Sequence, residues 1–344
     1  MKPTAWNYCF ISIIGLFLLF QTGTNYFYDH YGVFGSGLSS KAAINFNQRH
    51  GKVEYLAEHK GQFNAFLLGS SRLGHFDIKQ LSQVASQDAG SELRFYNLSV
   101  FSGVPKDYLL FLQHLKKAGH PIDAVVIGLD MYPFFLPPDL SKPDFRHHPS
   151  ATGENPLSFY LSYLFRTSFM YLATEAGYFF GNERAVYEHD LTDGSYRPLR
   201  AIRDIEEDFD GYWQKEIRKA KQGMESFQST VHVVDQGQLN ELRELVAWLK
   251  ENVQNYRFFV NPRHPQNDAY YSGNEHSVFA RGINEVLSGA QSKVDRVACL
   301  MQDNRNFYDL MHYKPTVANR IVESIYNVPA SQMDICGNSA IAVN

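Results

Sequence analysis

Cysteine is scarce: the 344 residues hold three, none at CxxC spacing. That excludes a disulfide-built scaffold and a zinc ribbon. An excess of one charge is missing too, since 32 Lys+Arg stand against 36 Asp+Glu for a net charge of −4. With a pI near 6.3 there is no general field for nucleic acid, and no nucleic-acid partner is expected. Internal repeats and low-complexity tracts are absent. What is abundant is apolar: 44% hydrophobic and 15% aromatic residues are too many for a disordered chain. At about 150 residues per domain, the length allows one large or two ordinary folded domains.

The longest charge-free stretch lies at the amino terminus, where no Asp, Glu, Lys or Arg falls between Lys2 and Asp29. Within it, Ala5–Phe20 reads AWNYCFISIIGLFLLF, a helix of roughly 25 Å against a hydrocarbon core of about 30 Å. Three readings fit: a retained single membrane anchor, a cleaved signal peptide, and a buried core helix. The anchor is carried forward because Trp6 and Tyr8 at one end and Tyr26, Phe27 and Tyr28 at the other suit the two membrane interfaces. QTGTN is a poor signal-peptidase site. Lys2 is the one nearby cation on the amino-terminal side, which orients the rest outward. The expected division is an anchor over 1–25, a juxtamembrane segment over 26–60, an α/β domain over 61–330 and a tail over 331–344. Cys9 belongs to the apolar run. Outside the cytoplasm, Cys299 and Cys336 can pair, or they stay two buried thiols.

Beyond residue 60, short apolar runs alternate with helical patterns. Phe63–Leu68, Arg94–Leu98, Ala124–Leu129 and Tyr256–Val260 read as buried strands. Pro105–Ala118, a stripe over Leu239, Leu242, Leu245, Val246 and Leu249, and Pro315–Tyr326 read as helices. The alternation predicts an α/β layer with a mainly parallel sheet, whose ligands bind at the carboxyl ends of the strands. Residues 133–235 break the rhythm with a proline-rich start, an aromatic helix-like stretch Leu157–Phe180 and an acidic patch Asp204–Asp210. They are expected to form an inserted cap, with aromatics suited to stacking on sugar rings; Arg166 and Glu175 argue against a second span.

The chemistry-bearing residues fall at the strand ends. Gly69-Ser70-Ser71-Arg72 follows the first strand, where a tight turn exposes a serine hydroxyl beside free backbone N–H groups. Asp309-Leu310-Met311-His312 precedes the last helix, and a carboxylate three residues from a histidine can orient an imidazole that activates a serine. Asn97 and Gly103 follow the second strand, and Gly128-Leu129-Asp130 ends the third. Asn261-Pro262-Arg263-His264-Pro265 follows the fourth, with Arg263 or His264 placed to contact an anionic or sugar substrate. Each motif alone is also an ordinary turn, cap or loop. His147-His148 has no further ligand at usable spacing, so no metal is expected.

Taken together, these blocks resemble the SGNH (GDSL-like) esterases and acyltransferases, in particular the membrane-anchored bacterial members that act on cell-envelope polymers. The resemblance spans residues 61–327 except the insertion. It implies a three-layer α/β/α, flavodoxin-like domain carrying an inserted cap and an N-terminal transmembrane helix. It implies Ser71 as nucleophile, Asp309 and His312 as its partners, the Ser71 and Gly103 N–H groups as oxyanion donors, and Asn97, Asp130, Ser70, Arg72 and His264 around the substrate. The implied substrate is an acyl ester of a cell-envelope polysaccharide, with no cofactor. The implied partner is a membrane-bound acyltransferase, and the implied location is the bacterial inner membrane, with the domain on its periplasmic side. One block departs: the family carries Gly-x-Asn where this chain has Gly128-Leu129-Asp130, and an ionised carboxylate cannot donate to an oxyanion. That departure supports the alternative of a non-catalytic assembly or glycan-binding protein.

Overall fold

A computed structural model describes residues 3–35, 46–166, 186–228, 233–269, 273–288, 292, 294 and 297–328. Its centre is a four-stranded, all-parallel sheet of β1 (Ala65–Leu68), β2 (Phe95–Asn97), β3 (Ala124–Leu129) and a later strand, Asn255–Val260, in the order β2-β1-β3-last. Ala65 pairs with both Phe95 and Ala124, and Ala124 pairs with Asn255. All four carboxyl ends therefore open on one edge. The four strands are the four apolar runs of the sequence, each bounded by turn residues.

Side chains alternate between two cores, as the pleat requires. Phe66, Leu68, Val125 and Ile127 pack with helices α2 (Gln48–Glu58), α4 (Pro105–Lys117), Gln236–Asn252 and Gly273–Leu287. Ala65, Leu67, Ala124 and Val126 face α3 (Ile78–Ala89) and Pro315–Ile325. Residues 46–60, within the stretch expected to be juxtamembrane, are less peripheral than their position in the chain suggested. In α2, Val53 and Leu56 enter the core, Arg49 pairs with Asp107 at 2.6 Å, and Lys52 Nζ donates to the carbonyls of Asn97 and Ser99 at 2.9 and 2.6 Å.

Helix α1 (Pro3–Tyr28) is longer than the apolar run alone indicated. Its window Trp6–Phe27 has a mean hydropathy of 1.4 and is long and apolar enough to cross a membrane. Its large apolar side chains, from Trp6 to Phe20, are mostly exposed. The helix is tied to the domain at its end: the Asn25 amide donates to the carbonyls of Tyr163, Leu164 and Arg166, satisfying the carboxyl terminus of α5 (Pro156–Leu164). Asp29, at a φ of 43°, then turns the chain, its carboxylate accepting from the Val33, Phe34 and Gly35 amides.

The inserted segment includes a short antiparallel hairpin, β4 (Glu188–His189) and β5 (Tyr196–Arg197), then α6 (Leu199–Glu207) and α7 (Phe209–Gln228). The helices Gln236–Asn252, Gly273–Leu287 and Pro315–Ile325 are α8, α9 and α10, and the strand Asn255–Val260 is β6. The hairpin docks on the exposed edge of the sheet, where the Asn97 N–H donates to the Asp193 carbonyl at 2.8 Å. Gly194, at a φ of 80°, fits there because a Cβ would stand 2.1 Å from the Asn97 carbonyl oxygen. Cys299 is disulfide-bonded and Cys9 is a free, exposed thiol, while Cys336 lies outside the described residues. Most of the aromatic stretch Leu157–Phe180 also lies outside them, beyond the observed α5.

Candidate active site

β1 ends at Leu68 and the chain turns at once. Gly69 leaves room there: a Cβ would come within 2.5 Å of the Leu73 side chain and 3.1 Å of the Gly128 carbonyl, so Leu73 would have to shift. Ser70 caps the one-turn helix Ser71–His75 through a bond from the Arg72 N–H, and its hydroxyl donates to Asp130 Oδ2. Its neighbour Ser71 is thereby presented outward.

Ser71 Oγ lies 2.8 Å from His312 Nε2, and His312 Nδ1 lies 2.8 Å from Asp309 Oδ2. A carboxylate can only accept, so the neutral imidazole carries its proton on Nδ1, leaving Nε2 to accept the serine hydroxyl. Asp309 also accepts from the Met311 and His312 amides, each at 2.7 Å. Burial acts to raise its carboxyl, but the charge and hydrogen bond of His312 and the two amides outweigh it and hold the group at about 2. The loop carrying both residues is pinned at its base: Phe307 bridges Tyr313, the Tyr308 N–H donates to the His312 carbonyl, and the Tyr313 hydroxyl donates to Asn261 after β6.

These groups line a cavity of about 560 Å³. Its opposite wall comes from the inserted segment, with Tyr187, Tyr196, Arg200, Tyr212 and Lys215 facing the serine. Two tyrosines tie wall to site. The Tyr196 hydroxyl donates to the Ser71 carbonyl at 2.6 Å, and the Tyr212 hydroxyl to the Tyr308 carbonyl at 2.6 Å. His75 lies beneath, its Nδ1 3.2 Å from the Tyr196 carbonyl; burial and the neighbouring His312 push it down to about 3, so it is neutral. Sequence reasoning missed His75, Ser102 and the named residues of the wall, beyond expecting aromatics from the insertion, because no motif marks them.

The other expected contacts take other places. The Gly103 N–H donates to the Val100 carbonyl at 3.0 Å, so it is spent in a turn; its neighbour Ser102, at a φ of 51°, lines the cavity. Among the described residues, neither the Ser71 nor the Ser102 amide donates to a protein acceptor. Asn97 is buried and braces the turn that carries Ser71, donating to the Leu73 carbonyl at 2.8 Å. Asp130 and Arg72 form a buried ion pair at 3.2 Å behind Ser70 rather than a substrate contact. His264 is buried against Trp213 and Phe307, with Nε2 2.9 Å from Asn304 Oδ1. Arg263 beside it pairs with Asp268.

No family model matches the chain, and no curated protein is significantly similar to it.

Proposed function

We propose that the chain is a serine ester hydrolase or O-acyltransferase of SGNH type, held by α1 in a bacterial inner membrane with its domain on the periplasmic side. The carrying observation is the hydrogen-bonded series Ser71–His312–Asp309, assembled where the turn after β1 meets the loop before α10 and open to a cavity. In this reading His312 Nε2 takes the Ser71 proton as Oγ attacks an ester carbonyl. The oxyanion is held by the Ser71 and Ser102 amides, the second donor moving one residue from the expected Gly103. His312 then returns the proton to the leaving alkoxide, the C–O bond of the ester breaks, and Ser71 is left acylated. Water, or a hydroxyl of a cell-envelope polysaccharide, releases the acyl group by the same steps in reverse order. The tyrosine-rich wall suits stacking on sugar rings.

The non-catalytic alternative leaned on Asp130 standing among the oxyanion donors. Its contacts with Ser70 and Arg72 turn the carboxylate away from that place, which favours the catalytic reading. A membrane setting is further supported by α5 and the residue that caps it, where Leu157, Leu161 and Phe165 stay exposed at four-residue spacing beside the end of α1. That face suits a membrane surface or a membrane-bound acyltransferase.

The test is intact mass after exposure to a fluorophosphonate and to an activated acetyl ester. Wild type and Ser70→Ala acquire the adduct; Ser71→Ala and His312→Ala do not, and Asp309→Ala retains a fraction, slowed by about 10⁴-fold. A folded Ser71→Ala that labels at the wild-type rate rejects the assignment.

A further inference from the structure

Adjacent histidines 147 and 148 point to different neighbours. His147 Nε2 meets Asp107 at 2.7 Å inside the core. His148, just before the helical turn Pro149–Thr152, reaches α2, where its Nε2 lies 2.6 Å from Glu54 Oε1. His50 sits one helical turn before Glu54, so both project from one face of α2. One ligand atom from each of His50, Glu54 and His148 lies within 4.8 Å of the others. None of the three lines the cavity at Ser71.

The surroundings are those of a ligand set. The His50 ring is 2% exposed and stacked on Phe159 at 5.4 Å. Its Nε2 meets the Tyr160 hydroxyl at 3.3 Å, while its Nδ1 is buried with no hydrogen-bond partner among the described residues. An orphaned buried nitrogen is uncommon and costs free energy unless something fills the gap. His148 Nδ1 accepts from the Ser150 backbone N–H at 3.2 Å and meets the Ser150 hydroxyl, and these two contacts fix the orientation of the ring. Glu54 is 44% exposed, which leaves a path from solvent.

We propose that His50, Glu54 and His148 form a zinc site that fastens the start of the inserted segment to α2. Two imidazoles and one carboxylate match the donors that zinc takes, with a fourth position left for water. Bonds of about 2.0–2.1 Å place tetrahedral ligands roughly 3.3 Å apart, so the three side chains close inward on binding. The ion takes the place of the hydrogen bond between His148 Nε2 and Glu54, and the proton of the neutral ring moves to Nδ1, beside the Ser150 hydroxyl. The three residues belong together only in the fold, since His148 lies 94 residues from Glu54 along the chain.

The experiment uses the untagged full-length protein in detergent, stripped with a chelator and titrated with Zn²⁺ by calorimetry. One equivalent binds the wild type, with a rise in Tm; the double variant Glu54→Gln/His148→Ala loses at least about tenfold in affinity and loses the Tm rise. Near-UV circular dichroism confirms that the variant is folded. Co²⁺ in place of zinc gives the intense visible bands of a tetrahedral site in the wild type alone. No stoichiometric binding by the wild type, or equal affinity in the double variant, overturns the site.

Discussion

Two neighbouring serines have opposite fates for a local reason. Ser70 turns its hydroxyl inward to Asp130, and Ser71, one residue on, meets His312. The aspartate that looks out of place among oxyanion donors is instead the carboxylate that neutralises Arg72, which is 4% exposed. Removing one partner of such a pair leaves the other charge buried and uncompensated. Asp130→Ala is therefore expected to cost about 3–5 kcal/mol in urea unfolding, whereas Ser70→Ala, which loses one hydrogen bond, costs about 1–3 kcal/mol. A loss below 1 kcal/mol for Asp130→Ala would show that Arg72 finds another partner. The same variant separates structure from chemistry, because residual folded protein should still be acylated at Ser71.

The elements set the site by bringing turns together rather than by their own side chains. The turn after β1 and the turn after β2 touch, since the Val100 N–H donates to the Gly69 carbonyl at 3.0 Å. Gly103 closes that contact: a Cβ there would stand 2.4 Å from the Gly69 carbonyl oxygen, backbone against backbone. Neither turn can yield without moving Ser71 or Ser102. Gly103→Ala is expected to slow acylation at least about tenfold while costing about 1–3 kcal/mol of stability, read by labelling rate and urea midpoint together. A wild-type labelling rate would mean that the contact is not needed to place Ser71. Gly74 offers a contrast, because the group that a Cβ would strike is the Tyr196 ring, a side chain from the inserted hairpin. The strands and most helices were legible in the sequence because runs such as Ala124–Leu129 and the leucine stripe of α8 are local patterns. The hairpin β4–β5 was not, being two residues per strand and held by its docking on Asn97.

At the scale of the whole molecule, neutral histidines make stability depend on pH. Burial, reinforced by His312, holds His75 at about 3; burial, reinforced by Lys52, does the same for His189. In the unfolded chain such groups take up protons below about 6.5, whereas the folded protein does not until about 3. Acid therefore favours the unfolded state across that window, by up to about 1.4 kcal/mol per pH unit for each histidine. Asp309, held at about 2, adds stability that is present above about 3.8 and is lost as pH falls below it. Denaturant midpoints from pH 7 to pH 4 should fall steadily, and His189→Gln should flatten the slope. A midpoint that does not move over this range would mean that these rings take up protons in the folded protein as readily as in the unfolded chain.

Local order was decided by the chain itself. An uncharged apolar run, four short strands, their bounding glycines and the pair Asp309 and His312 are all set by neighbours within a few residues, and the serine-histidine assignment followed from motif order. Only the tertiary structure decided what depends on residues distant in the chain. It made Asn97 a brace, Asp130 and Arg72 an internal ion pair, and His264 a packed ring, and it brought Tyr196 and Tyr212 over the serine. The physical reason is that a polar side chain's role is set by which partner meets it once water is excluded, and those partners came from 24 to 125 residues away.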